Sequence, residues 1–179
     1  MKKIILLIAA VLMMVACGNK VSYKGFTCAV PDNYYVKKSS LDGGMQYLLF
    51  NKDNSDNYVY IEITDDFLDG IGGEPDNAQI SRALAEEMYS VVDTFIFSDE
   101  DAEVDEDEGV NFAWNDDPDE AIYAEGQIVG TYEGKPFYAY ANADLWGGPN
   151  AVVTLLFAFD KEELKYQIDN IFKTYEWKK

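Results

Sequence analysis

Histidine is absent from this 179-residue chain, arginine occurs once, at Arg82, and cysteine twice, at Cys17 and Cys28. Each shortage closes off chemistry. Without imidazole there is no Ser-His-Asp or Cys-His relay, and no nitrogen ligand for zinc or copper. One guanidinium cannot build the paired clamps that grip phosphate or carboxylate in bidentate fashion. Carboxylate-only chemistry, as in glycoside hydrolysis, survives as an option. With 33 acidic residues, however, a carboxylate pair somewhere is guaranteed and identifies nothing. Long apolar runs are missing as well. The thirteen residues from Ile4 to Ala16 fall short of the ~20 that a membrane-spanning helix needs. These absences lead to the expectation of a non-enzymatic protein.

Basic residues are scarce, 14 against 33 acidic ones, and the imbalance is unevenly placed. Between Glu62 and Glu125, 22 acidic residues are opposed by Arg82 alone. Nucleic acid and anionic lipid headgroups are poor partners for such a surface, whereas cations and basic proteins suit it.

What is present is clearest at the amino terminus. Lys2 and Lys3 precede the uncharged run IILLIAAVLMMVA, which ends at Cys17. A positive start, a short apolar run and small residues before a cut describe an export signal. Met14-Val15-Ala16-Cys17 resembles the bacterial lipobox, with Met14 where that family usually has Leu. The resemblance implies a thioether-linked diacylglycerol on Cys17, cleavage after Ala16 and acylation of the new amino terminus. Several acyl chains hold a protein firmly, at ~0.8 kcal/mol per buried CH₂. Gly18 is not the aspartate that resembles an inner-membrane retention signal, and no acidic cluster follows Cys17 of the kind seen in surface-exported lipoproteins. That pair of absences favours the outer membrane, facing the periplasm, with a Gram-positive cell surface as the alternative. The expected division is a signal over 1–16, a lipidated tether over 17–24 and one domain over 25–179. With Cys17 acylated, Cys28 has no intramolecular disulfide mate. It alternates with Phe26 and Val30 and reads as a small buried hydrophobe.

The domain opens with strand-like runs, GFTCAV, YYVKKSS, MQYLLFN and NYVYIEIT, separated by Pro31-Asp32-Asn33, Asp42-Gly43-Gly44 and the stretch from Asp53 to Asn57. In the fourth run Val59, Ile61 and Ile63 alternate with Tyr58, Tyr60 and Glu62, which predicts a half-buried strand. DDFLDGIGGEP reads as a glycine-rich loop. Ile80, Ala83, Leu84, Met88, Val91, Val92 and Phe95 recur at helical spacing, behind an Asp76/Gln79 capping box. After the acidic stretch, AIYAEGQIVGTY and PFYAYANADLW are joined by a Glu133-Gly134-Lys135 turn, and AVVTLLFAF is apolar enough for a central strand. Asp160 with Glu163 starts a last helix, with Leu164, Ile168, Ile171, Phe172 and Tyr175 as its buried stripe.

Strands grouped in runs, rather than alternating with helices, predict an α+β fold: a mostly antiparallel sheet covered by two amphipathic helices. This order, with the opening FTCAVPDNYYVKKSS, resembles the PsbP-like family of α/β/α sandwiches, in which a strand, a Pro-Asp-x-aromatic turn and a second strand come first. The resemblance covers most of Gly25 to Trp177 and implies a non-enzymatic domain that docks onto protein partners, often at a membrane.

Three places invite a ligand. Asp99, Asp101, Glu103, Asp105 and Asp107 alternate through the acidic stretch. Oxygen ligands at that density can hold Ca²⁺, while a block of like charge is also what a solvated loop looks like. Asn51, Asp53, Ser55, Asn57 and Glu62 match the spacing of a calcium loop, but Asp56 stands where glycine is needed, so a hairpin turn is the better account. Gly70 to Gly73 lacks the lysine and spacing of a phosphate loop. Finally, Tyr138, Tyr140 and Trp146 share one face of a strand, near Asn142 and Asp144. Such a strip either packs in the core or stacks on a sugar or peptide. The expectation is an envelope lipoprotein working through a protein partner, a basic one suiting its acidic surface, with calcium or carbohydrate binding as the alternative.

Overall fold

A computed structural model describes residues 14–15, 20–105 and 107–178. Cys17, and with it the expected lipid attachment, lies outside the described residues, as does most of the export signal.

Among the described residues twelve strands and three α-helices follow one another: β1 Met14–Val15, β2 Lys20–Tyr23, β3 Phe26–Ala29, β4 Tyr34–Leu41, β5 Gly44–Asn51, β6 Tyr58–Thr64, α1 Phe67–Ile71, α2 Asn77–Val92, β7 Ala102–Glu103, β8 Val110–Trp114, β9 Ala124–Tyr132, β10 Lys135–Trp146, β11 Asn150–Ala158, α3 Lys161–Asn170 and β12 Glu176–Trp177. The main sheet runs β1-β4-β5-β6-β11-β10-β9, and β7 and β8 share the outer edge of β9. A small sheet, β12-β3-β2, lies apart from it. Every pairing among the described residues is antiparallel. The fold is the expected α+β arrangement, with the large sheet curled between its covering layers.

The two faces of the sheet carry separate cores. On one, α2 lays Ile80, Leu84, Met88, Val91 and Val92 over Leu48, Phe50, Tyr58, Tyr60, Leu155 and Phe157. On the other, β2, β3 and the chain after α3 lay Val21, Phe26, Cys28 and Ile171 over Leu49, Val59, Ile61, Ile63 and Leu156. Each large apolar side chain withdrawn from water contributes about 1.5–3 kcal/mol, so neither layer is dispensable. The second core corrects the half-buried reading of β6. Tyr58 and Tyr60 are buried too, almost as fully as the valine and isoleucines opposite them. Strict alternation with tyrosine looks amphipathic, yet a tyrosine ring is mostly apolar and here faces α2.

The termini also depart from expectation. The tether predicted over 17–24 is shorter, because Lys20–Tyr23 is strand β2 with Val21 buried. Tyr23 and Lys24 both reach Asp65, which fastens this hairpin to the end of β6. At the other end Glu176–Trp177 pairs with β3, and Lys178 N–H donates to the Gly25 carbonyl at 2.9 Å. Gly25 has φ 96°, and a Cβ there would stand 2.5 Å from the Lys178 carbonyl oxygen, so only glycine lets the two ends meet.

Local signals behave as the chemistry dictates. The Asp76/Gln79 capping box is formed on both sides, and Asp160 accepts from Glu163 N–H at 2.7 Å. Glu133 and Gly134, with φ 49° and 73°, make the two-residue turn between β9 and β10. The glycine-rich loop holds a short helix, α1, and α2 continues through a wider turn, Asp93–Phe97, that buries Phe95 and Ile96. On α3 the most buried residue is Gln167, not one of the predicted apolar stripe.

Candidate functional site

Among the described residues, grooves lie on both sides of the sheet. The first is an apolar hollow of about 430 Å³ between the outer face of α2 and β8. Arg82, Glu86 and Tyr89 stand at helical spacing on α2, and Phe112 and Trp114 project from β8. Tyr89, 51% exposed, meets Phe112 with ring centres 5.9 Å apart and Phe97 at 5.8 Å. Trp114, 39% exposed, donates its indole N–H to Asp116 Oδ1 at 3.0 Å, and Arg82 Nη2 lies 3.7 Å from the same oxygen. Phe112 can lie flat here because residue 126 has no side chain: a Cβ on Gly126 would fall 2.2 Å from Phe112 Cδ1. The borders are acidic. Burial, with Glu62 and Glu86 nearby, makes the Glu87 carboxyl harder to ionise than usual.

The second groove, about 540 Å³, lies between β9, β10 and α3. It takes in two of the three predicted aromatics. Tyr138 forms its floor beneath Lys161, whose Nζ is 5.2 Å from the ring centre, with Lys165 one helical turn on. Tyr140 lines it too, packs edge-on against Phe172 at 5.6 Å and donates its hydroxyl to Glu125 at 3.1 Å. Burial and then the Glu125 charge push the Tyr140 hydroxyl well above its ordinary range. Trp146 parts from the other two, packing at 5.8 Å on Phe26 and 6.2 Å on Tyr175. The predicted strip is thus split between a groove and the rim of the second core.

Farther along β10, Asp144 is harder to ionise than usual because of burial first, with Glu125 adding to it and a hydrogen bond from Asn142 opposing. The residue paired directly with Glu125 across the strands is Asn142, not Asp144.

The acidic stretch uses its carboxylates locally. Asp99 Oδ1 accepts from Asp101 N–H at 3.1 Å, and Asp99 Oδ2 accepts from Tyr132 hydroxyl at 3.2 Å. Asp105 Oδ1 accepts from the amides of Asp107 and Glu108 at 3.0 and 3.3 Å. Glu103 lies in β7, paired with Thr131. Among the described residues no three carboxylates or thiols converge into a metal-holding group. The Asn51–Asn57 segment is a hairpin turn: Asn51 Oδ1 accepts from Asp53 N–H at 2.9 Å, and Asn57 Oδ1 from Phe159 N–H at 3.0 Å. Cys28 is 1% exposed, and burial pushes its thiol up to about 12, which leaves it unreactive at neutral pH.

The α2–β8 groove was not anticipated from sequence. Its signal was Arg82, Glu86 and Tyr89 on one helical face plus an isolated NFAW, but which strand lies beside that face is a matter of topology.

No family model matches the chain. No curated protein matches it. Among solved structures, a crystal structure of a protein from Bacteroides thetaiotaomicron is similar, with 12% sequence identity, a TM-score of 0.47 and coverage of 90% of this chain. The match covers 49% of that protein, so the chain spans about half its length.

Proposed function

We propose that the chain is a non-enzymatic lipoprotein of the bacterial cell envelope, anchored through Cys17, that grips a basic segment of a protein partner in the α2–β8 groove. Its place is the outer membrane, facing the periplasm. The observation that carries this reading is the exposure of Tyr89 and Trp114 over an apolar groove edged by Glu86 and Asp116. Large aromatics left in water beside charge are the usual anchors of a protein interface, and their burial contributes most of its affinity. The carboxylates around them select cationic flanks on the partner and repel acidic ones. Arg82 holds Asp116 through a solvent-exposed ion pair, and such pairs contribute little to stability, so an incoming lysine or arginine can replace it. Among the described residues no helix is long and apolar enough to cross a membrane.

Calorimetry with an amphipathic Lys/Leu peptide tests the groove. The expected result is binding that weakens as salt rises and is lost in Tyr89→Ala and in Trp114→Ala. Absence of heat, or equal binding by both variants, overturns the reading.

A second reading, glycan binding, rests on Tyr138 as the floor of the other groove, with Tyr140, Gln127 and Lys165 around it. An aromatic floor with polar walls suits a sugar ring. Titration with neutral and acidic oligosaccharides decides it, and silence in both removes it. Calcium binding by the acidic stretch is tested by titrating Ca²⁺ into metal-free protein in the same instrument.

A further inference from the structure

Strand β2 begins at Lys20, only three residues after Cys17. Neighbouring Cα atoms are 3.8 Å apart, so the α-carbons of Cys17 and Lys20 are at most about 11 Å apart. A lipid on Cys17 would therefore hold the β2–β3–β12 layer itself close to the bilayer, without a long tether. That layer cannot swing out by unzipping β2, because Val21 is buried and Tyr23 and Lys24 are both bonded to Asp65, at 2.7 and 2.8 Å.

Charge is sorted by layer. From Lys20 to Val30 the β2–β3 hairpin carries Lys20 and Lys24, the latter paired with Asp65, and no acidic residue of its own, while β12 closes the same sheet with Glu176 and is followed by Lys178. From Asp66 to Glu120 there are 19 acidic residues and one basic one. That segment builds α1, α2, β7, β8 and their loops, which pack with the first core on the other face of the main sheet. The remaining mature residues hold 14 acidic and 11 basic ones, close to neutral.

We infer that the anchored domain rests its β2–β3–β12 layer on an anionic phospholipid surface and turns α2, β8 and the groove between them away from it. This inference rests on the reading of Cys17 as the acylated residue. Lysines near such a surface are attracted to it, and the acidic layer is repelled by it within a Debye length, about 8 Å at physiological salt. Short attachment and charge sorting thus favour the same orientation. It gives the proposed groove access to a partner arriving from the aqueous side.

Two tryptophans report on it, Trp177 in β12 and Trp114 in β8. The acylated protein is placed in phosphatidylethanolamine–phosphatidylglycerol vesicles containing a nitroxide-headgroup lipid. One variant, W114F/W146F, retains Trp177, and another, W146F/W177F, retains Trp114. The expected result is loss of most Trp177 emission while Trp114 keeps its own, with the contrast reduced by Lys20→Glu plus Lys178→Glu. Equal quenching, or stronger quenching of Trp114, overturns the inference. A separate arm couples the thiol of Cys17, in the chain from Cys17 onward, to a maleimide-headgroup lipid; that chain retains every residue of both cores, and Cys28 is too buried to compete. This arm tests orientation even if the mass of the membrane-extracted protein shows Cys17 unmodified, a result that would overturn the anchor alone.

Discussion

Lys24 Nζ lies 2.8 Å from Asp65 Oδ2, joining positions 41 residues apart and fastening the first hairpin to the end of β6. Tyr23 donates to the same oxygen at 2.7 Å. Burial works against ionisation of Asp65, but the bonds from Lys24 and Tyr23 outweigh it and hold the carboxyl below its ordinary range. A carboxyl whose folded-state value is lowered stabilises the fold above its unfolded value, and that contribution fades as pH falls through the folded one. Asp65→Asn should therefore speed amide exchange in β2 at neutral pH. The difference from wild type should narrow as the buffer is taken below the carboxylate range. Hydrogen-exchange mass spectrometry checks both, and unchanged β2 protection would refute the role.

Asp144 should show the reverse sign. Its carboxyl is raised, chiefly by burial, so the charged form is a burden in the folded state at neutral pH, and the burden lifts as pH falls through the folded value. Asp144→Asn keeps an acceptor for Asn142 and removes the charge. Its melting temperature should exceed that of wild type at pH 7, and the gap should close on acidification. A lower melting temperature at pH 7 would show the charge to be useful.

Gln167, fully buried on α3, donates through Nε2 to the Phe157 carbonyl at 3.1 Å, the Tyr34 hydroxyl at 3.2 Å and the Tyr58 carbonyl at 3.4 Å. It ties the helix to β11, β4 and β6 at one point. Tyr34 in turn donates to Glu163, which also accepts from Asn51 at 2.9 Å. Gln167→Leu keeps the volume but strips the donor from these acceptors, a loss of about 1–3 kcal/mol. Urea denaturation measures it. Because Gln167 Oε1 has no partner, the variant regains part of a desolvation cost, which places the expected value toward the lower end.

Gly126→Ala should act on the first groove. The added methyl collides with the Phe112 ring, which can move only by leaving its place beside Tyr89. Binding of the Lys/Leu peptide should fall sharply while circular dichroism stays close to wild type. Retained affinity would show that Phe112 does not shape the site.

How much of this was legible beforehand divides along physical lines. Capping at Asp76 and Asp160 and the Glu133-Gly134 turn depend on atoms within a few residues of each other, and all three stand as read. Strand β12 was not legible, because Glu176-Trp177 has no pattern of its own and becomes a strand only by pairing with Phe26 and Thr27. Val21 likewise looked like tether until the second core claimed it. The aromatic strip on β10 was correct as a shared face, but Trp146 went to Phe26 and Tyr175 while Tyr138 and Tyr140 went to a groove. Parity along a strand tells which side chains share a face, not what covers that face.

By itself the sequence determined the α+β class, both long helices, the absence of imidazole chemistry and the crowding of acid between Glu62 and Glu125. Composition and short-range periodicity carry those properties, and they do not depend on how the chain folds back. Only the tertiary structure decided that the sheet is buried on both sides and that β8 lies beside α2 to make an aromatic groove. It also placed the acidic segment on the face opposite the first hairpin. Those outcomes depend on contacts between residues far apart in sequence, where the loop-closure cost is repaid only by the whole assembled core.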